Sequence, residues 1–287
     1  MRSSAKINSV NTPVRLLAID IDGTLLNSQV QISPQNLEAL RRAHEAGVEI
    51  VLVTGRRHAF ALPIAQQTGV PLCLISSNGA VTKSLTGEMF HIDYLPLATA
   101  KRLCQVMANW RHAMVITFER ETPGALVLQS RESFHPSIAG WMAKNAQHIE
   151  QVVPIEDCLT CDPIQAMFCG GVDPMREVQR ELAASDVARD VTVLRTEYPH
   201  RDLSIVDVLH HTCSKGAALS RWAEHRGIAQ DQVMAIGDNY NDLEMLHFAG
   251  RAFVMANASE EMKQNGWTCV PSNDENGVAV AIAQAIG

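Results

Sequence analysis

The chain has no run of 18 apolar residues, the length at which an α-helix begins to cross a bilayer. A membrane-spanning helix is therefore excluded, and no membrane partner is expected. Basic residues are not in excess. Lys and Arg number 24 against 31 Asp and Glu, for a net charge of -7. A nucleic-acid surface needs a basic face, so no nucleic-acid partner is expected either. The seven cysteines, at 73, 104, 158, 161, 169, 213 and 269, are odd in number and irregularly spaced, which argues against a disulfide framework. Cys158-x-x-Cys161 is half of a zinc or redox pattern. No second pair completes it, so both read as free thiols. Internal repeats and low-complexity linkers are absent. Met1 to Thr12 lacks the apolar stretch of a signal peptide and reads as a flexible arm, residues 1–12, on a cytoplasmic protein.

Apolar residues, by contrast, make up 46% of the 287, enough for one large packed domain or two of ordinary size. Leu16 to Asp20 is a short apolar run and reads as a buried parallel strand. Ser33-Pro34 opens a helix that Gly47 stops. Val48–Val53 is a second strand, residues 59–68 a helix, and Leu72–Ile75 a third strand. This β-α-β-α-β alternation predicts a parallel sheet with right-handed crossovers. The texture changes near Glu88. Helices over 97–110, 137–148 and 175–185 are mixed with strands over 113–119, 125–129, 164–169, 191–196 and 202–208, two pairs of them hairpins. The first texture returns with a helix from Lys215 to about His225. A strand over 232–236, a helix over 243–249 and a strand over 252–255 follow. A short helix over 260–265, a strand over 268–270 and a helix over 277–286 close the chain. The prediction is an α/β core with a parallel sheet, residues 13–88 and 210–287, interrupted by an inserted α+β domain at 89–209.

Four signals sit at element ends: Asp20 with Asp22, Thr54-Gly55, Lys215, and Asp238 with Asn241 and Asp242. Ionised carboxylates out of water are costly unless paired, hydrogen-bonded or on a metal. Ligand sites in open parallel sheets lie outside the carboxyl ends of the strands. If the strands share one sheet, the three strand-end clusters share one edge, and Lys215 joins them from a helix start. The set then offers oxygen ligands for a hard cation such as magnesium, a hydroxyl and N–H groups for an anion, and one fixed positive charge. Phosphoryl transfer needs those parts.

Asp20-Ile21-Asp22-Gly23-Thr24, Thr54-Gly55-Arg56, Lys215 and Gly237-Asp238-Asn239-Tyr240-Asn241-Asp242 resemble, in order, the four motifs of the haloacid dehalogenase-like (HAD) phosphohydrolases. The resemblance runs from about Val14 to the end. The insertion between Asn78-Gly79-Ala80 and Lys215 resembles the large cap of the Cof-type (IIB) subgroup. The resemblance implies a Rossmann-like core with a type C2B cap. It implies Asp20 as nucleophile forming an aspartyl-phosphate and Asp22 as general acid, then base. Mg2+ would be held by Asp20, Asp238 and the Asp22 backbone carbonyl, with Asp242 ligating or supporting it. The phosphate would be bound by Thr54, the Gly55 and Ile21 N–H groups, Lys215 and Asn241, and Lys215 would also keep Asp20 ionised.

The implied activity is a magnesium-dependent phosphatase acting on small phosphorylated metabolites such as sugar phosphates, as a monomer or homodimer. A phosphomutase using the same aspartyl-phosphate is the alternative, and a non-catalytic metabolite-binding protein the second. Arg56 and Arg57 read as structural ion-pair residues. Asn78 either lines the site or shapes its loop. His210-His211 read as surface or hinge residues and the tryptophans as core, although Trp141 on a cap helix could touch substrate. In the insertion, Glu119, Arg120, Arg131, His135 and Arg176 are candidate substrate readers. Nothing in the sequence selects among them.

Overall fold

The computed structural model describes residues 12–120 and 123–286. The expected N-terminal arm lies outside them, apart from Thr12. The chain runs β1 (Leu16–Asp20), α1 (Pro34–Glu45), β2 (Glu49–Val53), α2 (His58–Gln67), β3 (Cys73–Ser76), β4 (Val81–Ser84) and β5 (Met89–Ile92). The insertion follows with α3 (Leu97–Val106), β6 (Met114–Thr117), β7 (Leu126–Leu128), α4 (Ala139–Lys144), β8 (Ile149–Gln151), β9 (Gln165–Gly170), α5 (Val172–Ala184), β10 (Val191–Tyr198) and β11 (Leu203–His210). The chain ends with α6 (Lys215–His225), β12 (Val233–Gly237), α7 (Leu243–Phe248), β13 (Arg251–Met255), α8 (Glu260–Lys263), β14 (Thr268–Val270) and α9 (Gly277–Ile286).

Two sheets result. The core sheet has the order β14-β13-β12-β1-β2-β3-β4-β5, parallel from β14 through β3. Its central strands β1, β2, β3 and β12 are buried on both faces, as continuous apolar runs dictate. Leu17, Ile19, Leu52 and Ile236 pack toward α1, α2 and α9, whereas Leu16, Ala18, Val53 and Ala235 pack toward α6 and α7. The cap sheet has the order β10-β11-β9-β6-β7-β8. Leu103, Phe168, Val178, Leu182 and Val206 build the core between this sheet and helices α3 and α5.

The hairpin β4–β5 extends the core sheet by two antiparallel strands. Met89–Ile92 is the outermost strand of the core sheet on that side. The hairpin's strands are four residues each, β4 carries Thr82, Lys83 and Ser84, and β5 is the partly exposed edge, so the pair lacks the continuous apolar run that marks a buried strand. Two expected helices are shorter than their periodicity suggested. The segment 97–110 ends as α-helix at Val106 and continues as 3₁₀ turns over Ala108–Ala113. The segment 137–148 retains only the six α-helical residues of α4, flanked by 3₁₀ turns.

Candidate active site

β1 lies between β12 and β2 in parallel register, with Ile19 level with Ile236 and Asp20 level with Val53. All three strands thus end at one edge, which brings Asp20, Thr54 and Asp238 together as the sequence predicted. Beyond β1 the chain turns sharply. Leu25 and Leu26 donate their N–H groups back to the carbonyls of Asp20 and Ile21. Gly23 takes φ +84°, and a Cβ there would lie 2.4 Å from Asp238 Oδ2. Only glycine meets both conditions without strain.

Asp238 Oδ1 accepts from Thr24 Oγ1 at 2.8 Å. Lys215, at the first turn of α6 and 1% exposed, donates to Asp20 Oδ1 and to Asp242 Oδ1, both at 2.6 Å. The other oxygen of Asp242 accepts the backbone N–H groups of Asp238 and Asn239, each at 3.0 Å. Asp242 is therefore already committed to the loop and to Lys215. The 3₁₀ turn that follows the loop is capped by Asn239.

Three acids surround one cation, leaving two negative charges in excess. The cost appears in their protonation. Burial, then the Asp242 charge, pushes Asp20 up to about 7 against the pull of Lys215. Burial, then Asp20 and Asp242, raises Asp238 well above the ordinary range. Burial works against the Lys215 ammonium, but Asp20 and Asp242 outweigh it and its pKa is raised. Among the described residues, Asp20, Asp238 and Asp242 can each present a carboxylate oxygen within 4.8 Å of one another. An all-oxygen donor set carrying two uncompensated charges fits a hard divalent cation.

Thr54 is 1% exposed, and its hydroxyl oxygen accepts the Arg56 N–H at 3.1 Å. It does not cap the next helix. The residue preceding α2 is Arg57, without a side-chain cap bond. Arg56 instead holds Asp22 through two bonds of 2.6 Å, and Arg57 donates to the Arg120 carbonyl of the cap. Asn78 is fully buried against Gly55, where a Cβ would lie 3.1 Å from Asn78 Oδ1. It lines the site as well as shaping its loop, accepting from Asn241 Nδ2 at 3.0 Å.

The candidate cap readers are each engaged by protein partners. Arg131 donates to the carbonyls of Ala146 and Ile149. Arg176 pairs with Glu197, Glu119 bonds Lys83 of the core, and Arg120 lies over the Phe118 ring. His135 bonds Ser137, and Trp141 packs into a second apolar cluster of the cap with Phe134 and Tyr198. Cys158 and Cys161 gather no third metal-binding side chain among the described residues, and burial pushes Cys158 up to about 12.

Sequence reasoning missed four cap residues at the site. Burial raises the Tyr198 phenol, as do the nearby charges of Asp22, Asp238, Asp20 and Asp242. The backbone of Glu197 exchanges two hydrogen bonds with the Asn239 side chain, at 3.2 and 3.0 Å. Asp207 and Gln165 are buried beside Asn78. An aspartate alternating with apolar residues along a strand, as in Val206-Asp207-Val208, was the available signal.

An acidic, lysine-bridged site at the carboxyl edge of a parallel sheet, beneath an inserted α+β cap, defines a capped phosphohydrolase. A sequence model of the haloacid dehalogenase-like hydrolases matches residues 17–282, and the chain belongs to that family, in its Cof-type branch. It is similar to the phosphatase YwpJ of Bacillus subtilis, with 29% identity over 93% of this chain and 98% of the relative. It is 27% identical to the pyridoxal phosphate phosphatase YbhA of Escherichia coli, over 92% and 96% of the two chains. A haloacid dehalogenase-like hydrolase from Bacteroides thetaiotaomicron superposes with a TM-score of 0.76 at 28% identity, covering 94% of this chain and 99% of that one. The chain is a phosphoric monoester hydrolase. No helix among the described residues is long and apolar enough to cross a membrane.

Proposed function

We propose that this protein is a magnesium-dependent phosphatase that hydrolyses small phosphorylated metabolites in the cytoplasm through an aspartyl-phosphate on Asp20. The observation that carries the reading is the buried Asp20 carboxylate, 2.6 Å from Lys215 and grouped with Asp238 and Asp242. Asp20, Asp238 and the Asp22 backbone carbonyl would hold Mg2+, with Asp242 supporting Lys215 and the loop. The cation would offset the negative charge of substrate and aspartates.

Asp20 attacks phosphorus in line, and the ester oxygen leaves as Asp22 protonates it. Asp22, now a carboxylate, takes a proton from water, which attacks the aspartyl-phosphate and releases phosphate. The Thr54 hydroxyl, the Ile21 and Gly55 N–H groups, Asn241 and Lys215 orient the phosphoryl oxygens and stabilise their charge. In this reading β4 and β5 belong to the core domain, and the cap runs from about Asp93 to His210. The cap would roof the cleft and exclude bulk water. That roof favours a small substrate, in keeping with a relative that acts on pyridoxal phosphate.

The test is p-nitrophenyl phosphate hydrolysis with Mg2+ or with chelator. Activity is expected only with Mg2+ and is expected to vanish in Asp20→Asn. Activity persisting in that variant refutes the assignment. Reaction in heavy-oxygen water distinguishes the outcomes, since hydrolysis places label in the released phosphate and a mutase does not.

A further inference from the structure

Asp207 lies in β11 of the cap sheet, between Leu194 of β10 and Met167 of β9. Its side chain reaches the core. Oδ2 accepts from Asn78 Nδ2 at 2.9 Å, and Oδ1 accepts from Gln165 Nε2 at 3.1 Å. Asn78 Oδ1 in turn accepts from Asn241 Nδ2 at 3.0 Å. The residues are buried, with exposures of 5% for Asp207, 0% for Asn78, 4% for Gln165 and 7% for Asn241. Gln165 Oε1, at the far end of the set, has no hydrogen-bond partner.

The direction of this chain of bonds is fixed from one end. Both oxygens of Asp207 face amide nitrogens, and above its raised pKa of about 7 the carboxylate only accepts, whereas an amide has a donating and an accepting side. Asp207 therefore turns the Asn78 amide nitrogen toward the cap and its oxygen toward Asn241. That oxygen can only accept, so it turns the Asn241 nitrogen inward and commits one of its two protons. The orientation of the Asn241 amide, a core residue, is then set from the cap.

We propose that Asp207 is a positioning residue for the phosphoryl site: through Asn78 it fixes which face of the Asn241 amide meets the phosphoryl group. The inference rests on the phosphatase reading for what Asn241 binds. Without Asp207 the two amides can reverse together, and the Asn241 oxygen would then confront phosphoryl oxygens. The loss falls on the transition state, where charge on those oxygens is held by preorganised donors.

The test is a pair of double-mutant cycles on the full chain. Asp207→Asn keeps the size and removes the fixed direction. Asn78→Gly removes the middle link, and glycine tolerates the left-handed backbone found there, φ +52°. Each is made alone and with Asn241→Ala. The readouts are kcat and KM on p-nitrophenyl phosphate with Mg2+, and the Kd of orthovanadate by calorimetry. Each single variant is expected to lower kcat and weaken vanadate binding about tenfold, with KM changed less than about twofold. In the Asn241→Ala background the same changes are expected to have less than about a twofold effect. Equal effects in both backgrounds, or no effect on kcat and vanadate from either single change, would overturn the proposal. If Asp207→Asn does not fold, the Asn78→Gly cycle decides alone. A wild-type chain that hydrolyses no ester but shows the vanadate cycle refutes the phosphatase reading and sustains this one.

Discussion

Arg56 grips Asp22 at both carboxylate oxygens, Nε to Oδ2 and Nη2 to Oδ1, each at 2.6 Å. Two parallel bonds fix the orientation of a carboxylate as well as its position. The pair is 28% and 39% exposed, and pairs so exposed contribute little to stability. Its consequence is geometric, because the hold presents Asp22 as the carboxylate that takes a proton from the attacking water. Arg56→Met is expected to lower kcat about tenfold while leaving the melting temperature within about 2 °C. Arg56→Lys restores charge but not the two-point hold, so it should recover only part of the rate. Steady-state kinetics and thermal melts on the three proteins check this.

Lys215 offers a second prediction. Its ammonium is buried between Asp20 and Asp242, so Lys215→Met leaves three buried carboxylates with no cation of the chain among them. Asp20 then loses the group that pulls its pKa down and spends more of its time protonated, and a protonated carboxyl does not attack. The variant is expected to lose activity by about 100-fold or more. Lys215→Arg should not rescue it, since a planar guanidinium does not fit where a compact ammonium is 1% exposed. Rates on an aryl phosphate measure both.

These residues were legible before the structure because short-range chemistry marks them. Asp20, Asp22 and Asp238 are carboxylates at the ends of apolar runs, where burial needs a reason. Lys215 follows Ser214, a helix cap, and sits on the same edge once the strands are parallel. Asp207 left only the mark of an acid alternating with apolar residues, and the roles of Asp207, Gln165 and Tyr198 were not legible, for a different reason. They act across the domain interface, and a cap strand shows no sign in its own sequence of which core residue it will face. The hairpin β4–β5 escaped notice because an edge strand need not be apolar on both faces. The Arg56–Asp22 pair was foreseen as ion pairing, but its partner depends on the turn after β1 and could not be named.

The buried acids predict how stability responds to pH. Burial is the largest cause that lifts both Asp20 and Asp207 from 3.8 to about 7, and Asp238 is raised as well. An acid whose folded pKa exceeds its unfolded one binds more protons when folded. Stability from these groups is therefore present at low pH and is lost as pH rises from about 4 through 7. The lowered acids Glu38, Asp274 and Glu275 act in the opposite sense but are fully or almost fully solvated. The chelated protein should melt at a higher temperature near pH 5.5 than near pH 7.5. Mg2+ needs ionised ligands, so it should raise the melting temperature more at the higher pH. Thermal melts at both pH values, with Mg2+ and with chelator, check it. A melting temperature in chelator that rises steadily with pH would contradict the raised acids.

Gly23 and Gly47 separate backbone strain from a clash at the site. Both adopt nearly the same left-handed backbone, φ +84° and +82°. A Cβ at Gly47 meets nothing within 4 Å, whereas one at Gly23 lies 2.4 Å from Asp238 Oδ2. Gly47→Ala therefore carries only the left-handed cost, about 1–2 kcal/mol, and should leave kcat and Mg2+ affinity unchanged. Gly23→Ala carries that cost and also displaces a carboxylate oxygen of the acidic group. It is expected to weaken Mg2+ binding about tenfold or more and to lower kcat with it, since a ligand displaced by a fraction of an ångström loses both charge contact and orientation. Mg2+ titration by calorimetry and denaturant melts of both variants make the comparison. Equal Mg2+ affinities in the two would mean that Asp238 can move aside freely, and that the turn after β1 does not set the geometry of the acidic group.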